Sequence, residues 1–585
     1  MKKIISNLLK FLSKNNNLVF FFLVLVSGFL ASRTLFKNNE YWIMHDDLQM
    51  MRQLEMEKCF TDGQFPCRWV PDMGYGFGFP LFNYYPPLPY LFGQIFRTFG
   101  FTFNLTVKLT FALGIIFSGI SMYFLAKEFF GKWGGLISSV FYVWAPYRAV
   151  DVFVRGAMNE SWAWIFFPLA LLGVYKLIKE KNNWYFILLS ISLSGLLLSH
   201  NLMSMIFSPV FAIWTIYWLI KEKSFKVIAK LFLSGLLSLG TATFFTLPAV
   251  LEQKYVHINT MVEDYFEYAG HFATIKQLFV SRFWGDGASI FGSGDGMAFP
   301  IGQVHWIIIF ITLVFLAIKL IKRKKFSSQD FIIIFASIVG ISAAFMCHNK
   351  SAYIWRSIIY LKFVQFPWRF LSLNVFGFSL AAGGLYYLLN QIKFFKKEKM
   401  KVFFVIPFLL AVILVNWNYF KPVRNGEMTD EEKFSGEAWR IQQQAGIRDY
   451  LPINADKDPD MQRKNLSEIT NGKGIIKDEK WGTNWASFDV DLESDENTIR
   501  VNIFDYPDWK VFVDGQEVSL YIDENDNWGR ISFDLSKGSH AVILRLYNTT
   551  LRKISNFISL SSIVILILLI IKEVFKRKTK KYDQC

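Results

Sequence analysis

Residues 41–90 read YWIMHDDLQMMRQLEMEKCFTDGQFPCRWVPDMGYGFGFPLFNYYPPLPY and lie between the first two hydrophobic runs of the chain. The stretch opens with His45, Asp46 and Asp47 at a membrane boundary. Its second half, residues 74–90, is too rich in glycine, proline and aromatic residues for an ordinary helix. A loop of this length predicts a functional segment rather than a simple connector. We expect the rest of the chain to be a scaffold that holds this loop over a cavity at the outer face of a membrane.

Composition indicates a membrane protein. Of the 585 residues, 53% are hydrophobic and 18% are aromatic. Hydrophobic runs of about twenty residues recur, and each is long enough to cross a bilayer of roughly 30 Å. The formal net charge of +16 does not indicate a nucleic-acid partner, because the lysines and arginines cluster in the segments between hydrophobic runs.

The runs and basic clusters predict a polytopic α-helical membrane protein with about twelve spans. Both termini are expected in the cytoplasm, because each loop assigned to that side is basic. Residues 1–420 form the membrane domain, with long outer loops at 37–103 and 251–303. Residues 421–552 form an extracytoplasmic domain, and residues 553–585 form the last span and a basic tail.

The extracytoplasmic domain has two patterns. Its first part, about residues 429–458, is helical and then extended. After Trp481 the sequence alternates between apolar and polar residues in five or more short runs, and Asp514-Gly515 is a hairpin turn between two of them. This pattern predicts a small β-sandwich that precedes the last span.

Polar residues that look misplaced in an apolar context fall at the outer membrane edge. Ionisable groups at membrane depth are costly unless they are paired or face a watery cavity. They therefore mark either a site or ordinary interfacial anchoring. The candidate site residues are His45, Asp46, Asp47, Arg148, Arg155, Glu160, His200, Arg356 and Arg369.

Several of these residues have two interpretations. Arg148 and Arg155 beside an apolar wall suit a phosphate or pyrophosphate, since a guanidinium group binds phosphate bidentately. Alternatively, Arg155 and Glu160 form a structural ion pair. Arg369 either caps a lipid headgroup or anchors a span at the interface, and His200 sits at a break between two spans, where a structural role is also open.

Two other features leave their alternatives open. The glycine-rich part of loop 251–303 lacks a nucleotide-binding pattern and is interpreted as a loop that closes over a substrate. Cys59 and Cys67 share the first outer loop and are either disulfide-bonded or free thiols. The sequence contains no cluster of cysteine and histidine residues with metal-ligand spacing.

Five segments resemble a known family. They are HDD at 45–47, residues 63–90, VRGAMNESWAWIFFPLAL at 154–171, QFPWRF at 365–370 and RDYLP at 448–452. They resemble the bacterial membrane proteins labelled pyruvoyl-tetrahydropterin-synthase-related, although no zinc-histidine set for pterin chemistry is present. The resemblance covers most of the chain and implies the glycosyltransferase C superfold. Enzymes of that superfold use lipid-phosphate sugars at the outer face, with an acidic residue in the first outer loop.

The resemblance implies roles for these residues. Asp46 matches the position of the family carboxylate, with Asp47 as second candidate and His45 orienting them. The carboxylate would take a proton from an acceptor hydroxyl or hold a divalent metal such as Mg or Mn. The implied partners are a polyprenyl-phosphate-linked sugar, a glycan, lipid or protein acceptor, and the lipid bilayer. The alternatives are helix capping by the HDD residues, a transporter or flippase for lipid-linked sugars, and a non-catalytic scaffold for envelope assembly.

Overall fold

The computed structural model describes residues 17–37, 40–292, 294–322, 325–395 and 397–582. The basic N-terminal segment and the last three residues, on which the predicted location of the termini depends in part, lie outside these ranges. The longer helices are α1 (Asn17–Ser32), α2 (Gln49–Thr61), α3 (Leu88–Thr98), α4 (Phe103–Val143), α5 (Met158–Glu180), α6 (Asn183–Ser199), α7 (Asn201–Lys221), α8 (Ile228–Leu251), α9 (Gln303–Ile321), α10 (Ser328–Met346), α11 (Leu371–Leu389), α12 (Glu398–Asn416), α13 (Gly436–Gln444) and α14 (Thr550–Tyr582).

The chain is a polytopic helical protein. Ten helices within the described ranges are long and apolar enough to cross a membrane: α1, α4, α5, α7 to α12 and α14. Helices α5 and α11 are the most deeply buried, whereas α14 is the least buried. Helix α6 is also apolar but is only 17 residues long.

Helix α4 is two helical segments joined by a reversal. At Gly131 the backbone has φ 73°, which glycine adopts without steric cost. After this residue the chain packs back on the first segment, so that Ser139 Oγ donates to the Gly119 carbonyl oxygen over 2.8 Å. The 41-residue helix therefore contains two antiparallel apolar segments, in agreement with the separate hydrophobic runs in the sequence.

The first long loop is an ordered layer. It contains α2, α3 and a short helix at Leu81–Tyr84. A disulfide joins Cys59 to Cys67, which decides between the two alternatives that the sequence left open. Gly78 has φ 86°, and a Cβ there would lie 2.5 Å from the Trp69 indole nitrogen, so the close packing of this loop requires glycine.

The polar domain contains one six-stranded antiparallel sheet in the order β3-β5-β8-β6-β7, with β4 also paired to β5. Its strands are β3 (Ser467–Asn471), β4 (Gly474–Trp481), β5 (Trp485–Phe504), β6 (Trp509–Val513), β7 (Gln516–Val518) and β8 (Arg530–Leu546). The prediction of five or more strands is confirmed, and they form one sheet in which β5 and β8 are longer than the short strands that the sequence predicted. Strands β5 and β8 each run through an irregularity in their pairing and remain hydrogen-bonded on both sides of it, so they join the two halves in one sheet.

The polar domain packs on the first long loop. Strand β1 (Glu40–Trp42), which begins that loop, pairs with β2 (Asn425–Glu427), which begins the polar domain. Further along, the Phe504 amide donates to the Phe77 carbonyl oxygen over 2.9 Å. The loop is thus held between the membrane helices and the sheet.

Candidate functional site

The HDD segment is fixed by main-chain hydrogen bonds. The His45 amide donates to the Val154 carbonyl oxygen, and the Asp46 amide donates to that of Arg155, both over 2.9 Å. These bonds join the first long loop to the segment between α4 and α5. Asp46 is therefore placed beside Arg155 by the backbone, without dependence on a side-chain rotamer.

Gly156 makes this approach possible. Its φ is 66°, and a Cβ at this position would lie 2.2 Å from the Met44 sulfur. The Gly156 carbonyl oxygen also accepts a 2.8 Å hydrogen bond from Gln49 Nε2 at the start of α2. The glycine after Arg155 thus allows the two segments to touch.

Asp46 lies at the centre of a small polar group. Its Oδ2 accepts from Arg52 Nη1 at 2.7 Å and from Gln49 Nε2 at 3.2 Å. Arg52 Nη1 also donates to the Tyr85 hydroxyl at 3.0 Å. The Asp46 side chain is 32% exposed, and Oδ1 accepts no hydrogen bond from any described residue. One carboxylate oxygen is therefore anchored and the other is available to a ligand.

Asp47 faces a different neighbour. Its Oδ2 accepts from Lys433 Nζ at 2.7 Å, an ion pair that ties the HDD segment to the polar domain. Burial raises the pKa of Asp47 above its ordinary value, and the adjacent Lys433 opposes that rise. The two neighbouring carboxylates thus have unequal environments, with Asp47 bound to a structural partner.

His45 contacts the second long loop, residues 251–303. Its Nε2 lies 2.9 Å from the Asp286 carbonyl oxygen, and the Asp286 carboxylate pairs with Arg424 at 2.6 Å. The glycine-rich loop therefore rests on the HDD segment. Because the His45 side chain is exposed and turned to this loop, its contacts favour loop positioning over orientation of the carboxylates.

Arg155 lies in a buried charged cluster. Its Nη1 donates to Asp151 Oδ1 at 2.7 Å, to Glu160 Oε2 at 2.6 Å and to the Tyr147 hydroxyl at 3.1 Å. Glu160 also accepts from Ser372 Oγ at 2.5 Å. The structural ion pair between Arg155 and Glu160 is present. All hydrogen bonds of Arg155 within the described ranges use Nη1, however, which leaves Nε and Nη2 for a further acceptor.

Arg369 joins this cluster to the Asp46 group. It interacts electrostatically with Arg155 and Glu160 on one side and with Tyr85 on the other. Its Nη1 donates to Gln365 Oε1 at 2.7 Å, while Nε is buried and has no hydrogen-bond partner among the described residues. Arg369 therefore brings a second incompletely paired guanidinium group to the region.

His200 lies at the back of the same cluster. It interacts electrostatically with Glu160 and Arg369, and its Nδ1 accepts from the Met203 amide at 3.4 Å as the N-cap of α7. The structure therefore supports the structural interpretation of His200 as a helix cap while placing its ring near the charged groups.

Two predicted residues donate no hydrogen bond to the described residues of this cluster, although Arg148 interacts electrostatically with Asp151 and Glu160. Arg148 is fully buried, where Nη1 donates to Ser161 Oγ and Nη2 to Ser118 Oγ, both at 2.9 Å. It therefore bonds α4 to α5. Arg356 is exposed on the short helix Ala352–Ser357, and it forms no ion pair or hydrogen bond with the described residues of the cluster.

Two residues of the site were missed in the sequence. Arg52 follows Gln49 by three positions, so both side chains lie on the same face of α2, just after Asp46 in the chain. This spacing was the signal in the sequence that could have indicated Arg52. Asp449 belongs to the RDYLP segment and interacts electrostatically with Arg52 and Asp46. Burial raises the pKa of Asp449 to about 6, a rise that Arg52 opposes and Asp46 reinforces. No local pattern relates Asp449 to residues four hundred positions earlier.

The carboxylates of Asp46 and Asp47 are not arranged as ligands of a divalent metal ion. Asp46 is paired with Arg52 and Asp47 with Lys433, so cations already occupy the oxygens that face inward. Within the described ranges no group of three or more histidine, cysteine, aspartate or glutamate side chains could hold a metal ion. A metal-ligand role for Asp46 and Asp47 therefore has no geometric support.

Fold and site together define a polytopic helical membrane protein whose β-sheet domain packs over a charged site beside the HDD segment. No family model matches the chain. The chain is similar to an uncharacterized protein of Lactococcus lactis subsp. cremoris (strain MG1363), with 22% identity over 261 residues. The alignment covers 43% of this chain and 42% of that protein, so the chain spans less than half the length of its relative.

Proposed function

We propose that the protein is a membrane glycosyltransferase of the glycosyltransferase C type. It transfers a sugar from a polyprenyl-phosphate donor to a glycan, lipid or protein acceptor at the outer face. The observation that carries the proposal is the Asp46 carboxylate, which Arg52 anchors through Oδ2 on a segment whose backbone is hydrogen-bonded to that of Arg155, an arginine with unused donors. A base beside a cationic site is the combination that sugar transfer from a lipid phosphate needs.

Asp46 is the proposed general base. The acceptor hydroxyl oxygen attacks the anomeric carbon while its proton passes to Asp46. The bond between that carbon and the phosphate oxygen breaks, and its electron pair leaves with the polyprenyl phosphate. Arg52 holds Asp46 Oδ2 in place, which presents Oδ1 to the hydroxyl.

Arg155 and Arg369 are the proposed phosphate ligands. A guanidinium group donates to two phosphate oxygens at once, and both side chains keep donors that no described residue uses. Glu160 and Asp151 fix Arg155 through Nη1, so the remaining donors lie in the fixed plane of the guanidinium group. This arrangement uses the structural ion pair as the support for ligand binding, so the two interpretations of Arg155 are compatible.

The proposed orientation places the HDD segment and the polar domain outside the cell membrane and both termini in the cytoplasm. Counting the two segments of α4 separately and including α6 gives about twelve spans. A cysteine at Asn525 should react with an impermeant maleimide in intact cells, whereas one at Lys223 should not. The background for both is a chain with Cys347 and Cys585 replaced by serine. Reaction at Lys223 would contradict this orientation.

The direct test is a transfer assay with the purified protein in nanodiscs. Polyprenyl phosphates that each carry one radiolabelled sugar are incubated with extracts of the cell envelope as acceptor, with and without a divalent metal. We expect transfer from at least one donor and no transfer by an Asp46→Asn variant. Absence of transfer from every donor, with the fold intact, would contradict the proposal.

A further inference from the structure

A second polar site lies away from the HDD segment. A cavity of about 240 Å³ is enclosed by the disulfide-bonded turn of the first loop, the end of β8 and the start of α14. Three guanidinium groups line it, those of Arg68, Arg545 and Arg552, together with the amides of Asn484 and Asn548. No part of the proposed transfer reaction uses these residues.

Arg68 is buried with part of its hydrogen-bonding capacity unused. It donates to Asn83 Oδ1 at 3.1 Å, and to the Phe244 carbonyl oxygen and Asn556 Oδ1 at 2.7 Å each. Its Nε is buried and has no partner among the described residues. Burial, reinforced by the positive charge of Arg552, lowers the pKa of Arg68 to about 10. The two guanidinium groups are thus close enough to repel each other.

Arg552 is likewise incompletely paired. The residue is 1% exposed, and its Nε donates to Glu252 Oε2 at 2.8 Å. Glu252 also accepts from Asn83 and Thr549, so its carboxylate is shared among several donors. Arg552 Nη2 is buried without a hydrogen-bond partner among the described residues. A buried donor without an acceptor is costly, and a ligand oxygen would remove that cost.

Carboxylates balance the positive charge of the cavity only in part, through the ion pair of Arg552 with Glu252 and an electrostatic interaction of Arg545 with Asp62. Arg545 is exposed at the cavity rim, and no described carboxylate lies within ion-pair distance of it. Its guanidinium group lies 5.9 Å from the centre of the Tyr547 ring. Two carboxylates, those of Glu252 and Asp62, therefore stand against three guanidinium groups, and this excess of positive charge attracts an anion.

The location of the cavity indicates which anion it meets. Phe244 and Asn556, the partners of Arg68, belong to α8 and α14, two candidate membrane spans with mostly exposed faces. The cavity thus lies beside these two apolar helices where they meet the β-sheet domain. We propose that it binds a phosphate group, supplied by the headgroup of an anionic phospholipid at the membrane surface.

The test uses the full-length protein in detergent and native mass spectrometry. Phosphatidylglycerol is titrated against diacylglycerol with the same acyl chains, which lacks the phosphate. A third arm adds inorganic phosphate at constant ionic strength. The variant is Arg545→Gln, chosen because this exposed side chain can be changed without disturbing Glu252. The control is Lys537→Gln, which removes a positive charge from an exposed position of β8 outside the cavity.

We expect phosphatidylglycerol to bind saturably and diacylglycerol not to bind. Arg545→Gln should weaken phosphatidylglycerol binding about tenfold, the effect of losing one hydrogen bond to a charged group, while Lys537→Gln should match the wild type. Displacement by inorganic phosphate at equal concentration would assign the site to free phosphate and overturn the lipid source. Equal binding of both lipids, or equal affinity in both variants, would overturn the site itself.

Discussion

The sharpest test of the proposed base is Asp46→Asn. The change keeps the shape of the side chain, and an amide oxygen can still accept from Arg52 Nη1, which lies 2.7 Å from Oδ2 in the native protein. What it removes is the ability to accept a proton. We therefore expect turnover to fall by about 10²–10⁴, the usual contribution of a positioned general base.

The stability of this variant should change little. Arg52 is buried while the Asp46 side chain is 32% exposed, and because the amide oxygen of Asn keeps the hydrogen bond from Arg52, we expect a cost of about 1 kcal/mol. Asp46→Ala is the informative contrast, because it leaves the buried Arg52 without its carboxylate and should cost about 1–3 kcal/mol. Asp47→Asn is the matched control, since Asp47 faces Lys433 rather than the exposed side of the site.

Initial rates of sugar transfer and melting temperatures are measured for the three variants in nanodiscs. We expect Asp46→Asn to lose sugar transfer while its melting temperature stays close to that of the wild type. Asp47→Asn should retain most of its turnover. If Asp46→Asn keeps turnover within about tenfold of the wild type, Asp46 is not the base. If the loss of activity is explained entirely by a lower melting temperature, the result favours a non-catalytic scaffold for envelope assembly.

Three further predictions concern other parts of the chain. Arg155→Lys keeps the positive charge between the carboxylate partners but loses the Nε and Nη2 hydrogen-bond donors. The KM for the sugar donor should therefore rise about tenfold at an unchanged melting temperature. An unchanged KM would show that Arg155 is a purely structural residue. Burial raises the pKa of Asp449 to about 6, from about 3.9 in an unfolded chain. The folded state therefore binds this proton more tightly than the unfolded state does. The free energy of unfolding of the wild type should fall as the pH rises between these two pKa values. Asp449→Asn should abolish that fall in melting temperature between pH 4 and 7, and an identical pH profile in the variant would refute the assignment. Alkylation of the unfolded, unreduced protein should leave Cys59 and Cys67 unmodified, and all four cysteines should react after reduction; reaction of all four without reduction would exclude the disulfide.

The membrane architecture could be predicted from the sequence because its signal is local. A run of about twenty apolar residues marks each long span, and a break such as the one at Gly131 needs only a residue that tolerates a positive φ. The alternation after Trp481 likewise indicated strands. It did not indicate that β5 and β8 continue through their irregularities, because a bulge depends on the register of the partner strand.

The site was predictable only in part, for a related reason. Residues such as Asp46 and Arg155 were selected because a charge beside an apolar run is unusual, and that criterion works for each segment alone. It could not separate Arg148, whose hydrogen bonds to two serines join α4 to α5, from Arg155, whose hydrogen bonds go to the carboxylates of Asp151 and Glu160. Asp449 escaped notice because a single acid in a polar domain is ordinary until the fold places it beside Arg52.

The polar domain is therefore part of the site rather than an appendage to the membrane helices. Lys433 pairs with Asp47. Strand β1, which follows the first span, pairs with β2 at the start of the polar domain. Asp449 then adds a buried carboxylate whose ionisation responds to the same Arg52 that anchors Asp46. Since Arg52 serves both carboxylates, a change in the position of the polar domain alters the electrostatic environment of Asp46 directly. The proposed base thus depends on contacts made by two parts of the chain that are separated by almost the whole membrane domain.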